Sequence, residues 1–398
     1  MSLPEAELLE DVRQRLFAPI ISANPRAVGV ELELIPVHKT TRTRAFAQND
    51  ARASTAEVLS RVGLREGWHE KTNGEDPPSW KLADGAHISF EPGGQLEISS
   101  APAPTASQVI DSTQALVKII REAMSNVGIE LLARGVDPFN HIEAVPLQLH
   151  RDRYTGMTRY FDSIGPSGVQ MMRQTAALQI NLERGGDPES RWRLLNGLAP
   201  IVVALFANSK QYAGKPTGWA SYRAQLWRTL DRSRTGIIYD EAHHVERYLG
   251  FALDAIAMRG GKDGEGYRPF RGWMSEPAIA RDDWLFHLST LFPEVRPKEF
   301  FELRSADTIE PDALAAPVVF VTGLIYDDEV AHRAAELIGA PSDKMLERAG
   351  RLGLADPEIR RITSKLVVLA LDGGRRLGGD YIKRHHLEAA YQYFSRAL

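Results

Sequence analysis

Glu31 and Glu33 are one residue apart, and Val28, Val30, Leu32 and Leu34 interleave with them. A strand sends successive side chains to opposite faces, so residues 28–34 read as a strand with an aliphatic back and a carboxylate front. The pattern recurs. In residues 88–99, Ile88, Phe90, Leu96 and Ile98 oppose Ser89, Glu91, Gln95, Glu97 and Ser99. The middle of that segment, Glu91-Pro92-Gly93-Gly94, has Pro and Gly where a type II turn favours them, which predicts a hairpin. Residues 177–183 set Leu178, Ile180 and Leu182 against Gln179, Asn181 and Glu183; residues 301–307 set Phe301 and Leu303 against Glu302 and Arg304.

Glutamate on the solvated face of one antiparallel sheet is ordinary. Several such strands together are not, because Glu is depleted in strands and like charges on neighbouring strands repel. Divalent cations relieve that repulsion, and magnesium accepts oxygen ligands from carboxylates, carboxamides, water and phosphates. A cup of Glu31, Glu33, Glu91, Glu97 and Glu302, with Gln179 as a neutral oxygen donor, suits more than one Mg2+ ion on a triphosphate. Residues 221–236 supply the opposite charge: Arg223, Trp227, Asp231 and Arg234 recur at helical spacing and predict one helix face. That face is either a surface ladder of ion pairs or a set of arginines for a phosphoryl group or a substrate carboxylate.

The elements that hold these residues belong to a chain of 398 residues, with 43% hydrophobic and 25% charged residues and a net charge of −4. Length alone favours two domains. The near-balanced charge argues against a nucleic-acid partner. Cysteine is absent, which removes disulfides and thiolate chemistry and fits a cytoplasmic location. The acidic amino terminus does not read as a signal peptide. The longest apolar stretches, 194–207 and 313–326, fall short of the roughly 20 residues of a membrane span and read as buried helices of a soluble protein. Beyond about residue 328 the chain reads as helical, with Ala334, Leu337 and Ile338, then Met345, Ala349 and Leu352, at helical spacing.

Residues 40–49, 67–79, 185–190 and 260–268 read as loops. The last contains Gly-Gly-Lys-Asp-Gly-Glu-Gly but lacks the Lys-Ser/Thr that completes a phosphate-binding P-loop. No Gly-x-Ser-x-Gly or His-Glu-x-x-His occurs, and His243-His244 and His385-His386 read as solvated helix residues.

Taken in order, Gly-Val-Glu-Leu-Glu (29–33), Glu-Pro-Gly-Gly-Gln-Leu-Glu-Ile-Ser (91–99) and Met-Met-Arg-Gln-Thr-Ala-Ala-Leu-Gln-Ile-Asn-Leu (171–182) resemble the plant-type glutamate–cysteine ligases. So do Phe-Ala-Asn-Ser (206–209), Ser-Tyr-Arg-Ala-Gln-Leu-Trp with Asp-Arg-Ser-Arg-Thr-Gly (221–236), the run from Asp283 to Arg296, and Glu-Leu-Arg-Ser-Ala-Asp (302–307). The likeness covers residues 28–330. The Gly-Leu-Ala-Asp-Pro of the tail (353–357) is closer to the related ligases of actinobacterial ergothioneine synthesis.

The resemblance implies an α+β, glutamine-synthetase-like fold: a curved, mostly antiparallel sheet forming an open half-barrel, backed by helices, in one catalytic domain spanning 1–398. It implies ATP as co-substrate and glutamate and cysteine as substrates, with a γ-glutamyl phosphate that the cysteine amine attacks. By motif, Glu31, Glu33, Glu91, Glu97, Gln179 and Glu302 match metal-binding positions, with Gln95 and Asn181 beside them as substrate-binding residues. Arg304 matches a phosphate-contacting position and, with Glu302, stands as catalytic. Tyr222, Arg223, Trp227 and Arg234 match a block at the substrate end of the pocket. The chain departs from the plant members in lacking their cysteines, notably at 171–182, so ligation of glutamate to another amine is the alternative. A non-catalytic sensor has no need of the acid set, and a guanidino phosphotransferase is disfavoured by the missing cysteine. Glutathione and ergothioneine synthesis both begin with the same dipeptide.

Overall fold

The computed structural model describes residues 3–21, 25–258, 266–276 and 279–398. Nine strands form one open sheet: β1 (Val28–His38), β2 (His69–Asn73), β3 (Asp76–Lys81), β4 (His87–Phe90), β5 (Leu96–Ser99), β6 (Ile129–Leu132), β7 (Ala177–Leu182), β8 (Val295–Pro297) and β9 (Phe301–Asp307). Their spatial order is β8-β9-β7-β1-β5-β4-β3-β2, with β6 on the far end of β1, and every pair is antiparallel. The path runs from edge to edge without closing. The α+β open-sheet architecture is the one the resemblance implies.

The aliphatic back is sealed by helices. Ala106–Asn126 lies on β1 and β6, Pro188–Leu205 on β9, and Thr55–Glu66 on β2 and β3. Both apolar stretches form buried helices, Pro188–Leu205 and Ala315–Ile325, and no helix is long and apolar enough to cross a membrane. Ala315–Ile325 packs against Pro357–Arg376 and Arg384–Ala397. Glycines permit this crossing: a Cβ on Gly373 would lie 1.9 Å from Gly323 O. In the helical tail, Ala334, Ile338 and Ala349 are buried as their spacing predicts, whereas Leu352 is exposed.

Two expected loops are regular structure. Residues 67–79 form most of the β2–β3 hairpin, turning at Gly74. The prolines Pro77 and Pro78 are tolerated because β4 pairs β3 only at Trp80 and Lys81. In 185–190 a helix begins at Pro188, capped by the Asp187 carboxylate accepting from Ser190 N. Residues 259–265, most of the glycine-rich loop, lie outside the described residues. The 91–94 turn also differs. The left-handed residue is Gly94 (φ 76°), not Gly93, and Gly94 N donates to Glu91 O at 2.7 Å. This is a type I turn followed by a left-handed glycine, the three-residue hairpin form. Gly93 is needed for space: a Cβ there would lie 2.0 Å from Arg173 O.

Candidate active site

Register aligns the polar residues. Directly paired residues of an antiparallel ladder share a face. One row across the sheet is Ser89–Glu97–Glu33, the next His87–Ser99–Glu31–Gln179, the third Gly29–Asn181–Glu302–Arg296. Residues of the first two rows floor a cavity of about 790 Å³, which the third row reaches through Arg296. Helices Asp152–Ile164, Pro166–Gln174 and Tyr222–Leu230 contribute Arg153, Tyr154, Met171, Arg223 and Trp227 to its walls. Lys71 and Ser79 reach it from the β2–β3 hairpin, and Arg296 and Lys298 from the β8 edge.

Glu31, Glu33, Glu91 and Glu97 all line this cavity. Glu31 accepts from Asn181 Nδ2 at 3.0 Å, and Glu33 accepts from Ala177 N at 2.8 Å and Gln179 Nε2 at 3.3 Å. Burial, then the charge of Glu97, pushes the Glu33 carboxyl up to about 7. The same two causes raise Glu91 well above the usual carboxylate range, and Glu91 also shares a hydrogen bond with Glu97. Glu31 is raised by burial, then by Glu302 and Glu97. Burial and like charge thus favour the protonated form of these acids, the condition that a divalent cation relieves. Among the described residues, no three of their carboxylates bring oxygens within 4.8 Å of one another. They form a trough that could hold cations spread along a polyphosphate, not a closed cage.

Glu302 differs from the other acids. It is 0% exposed and lies beneath the cavity wall. Arg296 donates to it twice (2.7 and 3.0 Å), and Lys298 Nζ and Arg304 Nη1 also bond it. Burial would raise its pKa, but Arg296, then Arg304 and Lys298, hold it well below the usual range. Glu302 therefore anchors a basic bank: Arg304 reaches on to Gln179 Oε1 at 2.6 Å. The Nε atoms of Arg153, Arg223 and Arg304 are buried without a hydrogen-bond partner. Acidic trough and basic bank face each other across one cavity, which is chemistry for a phosphorylated substrate and its cations.

The remaining expected residues divide. Arg223 and Trp227 line the cavity, with the Arg223 guanidinium 4.7 Å from the indole and Arg223 Nη2 donating to Arg304 O at 2.8 Å. Gln95 lines it too, but both ends of its amide are used: Nε2 donates to Thr175 O and Met172 O, and Oε1 accepts from Gly93 N. It braces the 91–94 turn. Asn181 lies behind Glu31, its Oδ1 buried and unpartnered. Tyr222 does not line the cavity; its ring packs 5.7 Å from that of Tyr212. The single helix face over 221–236 does not form, because the helix ends at Leu230 and Asp231 is extended. Arg234 turns away from the cavity, fully buried, donating to Asp231 at 2.7 Å, to Thr290 O at 2.9 Å and to Ile256 O. Its role is to staple three segments.

Arg296, Lys298, Arg153 and Lys71 were not anticipated. Arg296 and Lys298 carried a readable signal, alternating with Val295 and Pro297 immediately before the Glu302 strand.

The open antiparallel sheet carries a trough of acids opposed by arginines in a glutamine-synthetase-like fold, and the family of the chain makes it a ligase. The family profile described as "Glutamate-cysteine ligase family 2 (GCS2)" matches residues 27–397, and the chain belongs to this family. It is 31% identical over 347 residues to the chloroplastic glutamate–cysteine ligase of Brassica juncea, covering 81% of this chain and 67% of that one. It is 30% identical over 369 residues to the glutamate–cysteine ligase EgtA of Mycolicibacterium smegmatis, covering 85% and 86%. The chain thus spans about two thirds of the plant relative's length and most of the mycobacterial one's. In solved structures, a Francisella tularensis glutamate–cysteine ligase in complex with AMP shares the fold, with TM-score 0.52 and 11% identity, covering 96% of this chain and 83% of that one.

Proposed function

We propose that this chain uses ATP to join the γ-carboxyl of glutamate to the amine of cysteine, through a γ-glutamyl phosphate. The observation that carries the reading is the acidic trough of Glu31, Glu33, Glu91 and Glu97 facing Arg153, Arg296, Lys298 and Arg304 across a single cavity. A carboxylate is a poor electrophile, so it must first acquire a leaving group. The γ-carboxylate oxygen bonds the terminal phosphorus of ATP and the bond to ADP breaks. The cysteine nitrogen then bonds the acyl carbon, phosphate departs with the carboxyl oxygen, and the amine gives up a proton.

Glu31, Glu33, Glu91 and Glu97, with Gln179, are the residues that would hold Mg2+; Glu302, expected as a further ligand, is instead engaged beneath the wall by Arg296, Lys298 and Arg304. The burial and mutual repulsion of Glu31, Glu33 and Glu91 fit a divalent cation. Bound there, magnesium supplies charge neutralisation along the triphosphate. Arg304, pinned between Glu302 and Gln179, offers a fixed positive charge to the transferring phosphoryl group. Arg223 extends that charge toward the substrate end. Met157, Met171, Met172, Trp227 and Phe292 give the cavity an apolar wall that limits the water able to reach an acyl phosphate. One hydrophobic cluster extends from Leu8 to Phe394, in keeping with one catalytic domain. The product, γ-glutamylcysteine, suits either glutathione or ergothioneine synthesis.

The test is ATP-dependent phosphate release with glutamate, scanned over amine acceptors, with the product weighed by mass spectrometry. Cysteine should be the best acceptor and 2-aminobutyrate next, since it keeps the amine, the α-carboxylate and the side-chain size. An acceptor lacking an α-carboxylate that outperforms cysteine overturns the assignment.

A further inference from the structure

Outside the ligase cavity, two helices meet at a cluster of unlike donors. Ser107 and Asp111, four residues apart, share a face of helix Ala106–Asn126. His385 and His386 are the second and third residues of the last helix, Arg384–Ala397. The pair reads as solvated from sequence, yet His386 is only 4% exposed. Its Nε2 lies 3.0 Å from Asp111 Oδ1 and 3.1 Å from His385 Nε2.

In the metal-free cluster one Nε2 proton of His386 is shared by two acceptors, Asp111 Oδ1 and the His385 Nε2 lone pair; the other tautomers set a lone pair against the carboxylate or two hydrogens against each other. Two of the three spacings are close to the edge of a tetrahedron, since ligands about 2.0–2.1 Å from a zinc ion lie about 3.3 Å from one another, and all three ligand atoms lie within 4.8 Å of one another. The outer shell is also present. Ser107 Oγ lies 2.9 Å from His386 Nδ1 and accepts from Lys383 N at 2.7 Å. It can take the Nδ1 proton when Nε2 binds a metal, the support that ligating histidines regularly have. Lys383 Nζ, 2.7 Å from Asp111 Oδ2, occupies the carboxylate's other oxygen and leaves Oδ1 for the cluster. His385 is exposed, so the fourth position opens to water.

We propose that Asp111, His385 and His386 form a second metal site, for a borderline transition-metal ion of the zinc class, which clasps the last helix to the helix behind the sheet. Two imidazoles and one carboxylate select such an ion over magnesium. The oxygen-only trough of the cavity has the reverse preference.

The test uses untagged full-length protein stripped with a chelator and titrated with Co2+, whose visible absorption is strong in a four-coordinate nitrogen–oxygen site and weak in a six-coordinate oxygen site. The wild type should take up one equivalent with the intense band, Zn2+ should displace it, and Zn2+ should raise the melting temperature. His385→Ala should lose the band and the thermal shift, with Co2+ affinity down at least about tenfold, since even outer-shell losses weaken metal sites by about 10–100-fold. Glu97→Gln, altered only in the trough, should keep the band. His385 is exposed, so its variant tests the site even should the buried His386→Ala fail to fold. No intense band in the wild type, or an equal band in His385→Ala, overturns the proposal.

Discussion

Replacing Glu302 by Gln keeps the shape of the side chain and removes its charge. The sequence presents this residue as a metal ligand on the polar face of its strand. The structure buries it completely beneath Arg296, Lys298 and Arg304. Removing one member of a buried pair costs about 3–5 kcal/mol, because the partner is left uncompensated. The partners here are not equally buried: Arg296 is 15% and Arg304 10% exposed, but Lys298 is 36% exposed. Lys298 recovers most of its loss from water, so the lower end, about 3 kcal/mol, applies. With an unfolding entropy of about 2.1 cal/mol/K per residue, a chain of 398 residues loses about 1.2 °C per kcal/mol, or about 3–4 °C in all. The Glu302 carboxyl is held below its ordinary range, so its stabilisation is fully present above the unfolded carboxylate pKa of about 4.3 and is lost as pH falls below it. The wild type–variant gap in melting temperature should be constant near neutrality and narrow only in acid. Because Glu302 holds Arg304 in place, kcat should fall by on the order of 10² or more. Calorimetry across pH and steady-state kinetics at saturating magnesium separate the two effects. An unchanged melting temperature refutes the buried-charge argument; an unchanged kcat refutes the catalytic role.

Four further outcomes are expected. Glu33, raised to about 7, binds more protons folded than unfolded between about pH 4.3 and 7, so the metal-free protein should lose stability as pH rises through that window, less so in Glu33→Gln. Mg2+ added at pH 6 should release protons, seen as a buffer-dependent heat of binding that Glu33→Gln reduces; equal heats in all buffers contradict this. Arg234→Ala strands Asp231 and two carbonyls and should cost about 3–5 kcal/mol, yet leave KM within a few-fold for the folded fraction; a large KM rise with unchanged denaturant stability would return Arg234 to the substrate. A chain without cysteine has no thiol switch, so rates with 2-aminobutyrate, which avoids oxidation of the substrate itself, should be flat between dithiothreitol and a mild disulfide oxidant.

The strands that floor the site were legible because a period of two is a local property. Val28 to Leu34, the two arms around Glu91 to Gln95, and the 177 and 301 segments each carry their alternation within seven or so residues. The β2–β3 hairpin was hidden by Pro77 and Pro78, which read as loop until the short reach of β4 shows why they fit. Asp231 and Arg234 kept a helical spacing beyond the helix because a side-chain-capped turn, with Ser233 N and Arg234 Nε on the Asp231 carboxylate, brings them together instead. Gln95 looked like a substrate contact because its strand faces the site; its partners Thr175 and Met172 come from about 80 residues away. The burial of His386 depends on Ser107, 279 residues distant. Local pattern reveals which face a residue takes, and long-range partners decide what remains free on that face.

The central claim is that the glutamate carboxyl is activated by transfer of phosphate to it. Glutamate labelled with 18O in its γ-carboxyl, incubated with ATP, Mg2+ and cysteine, tests it in one mass spectrum of the released phosphate. An acyl phosphate requires that one carboxyl oxygen leave with phosphorus, so each turnover should place one 18O atom in inorganic phosphate. Phosphate free of label while γ-glutamylcysteine accumulates would contradict the account.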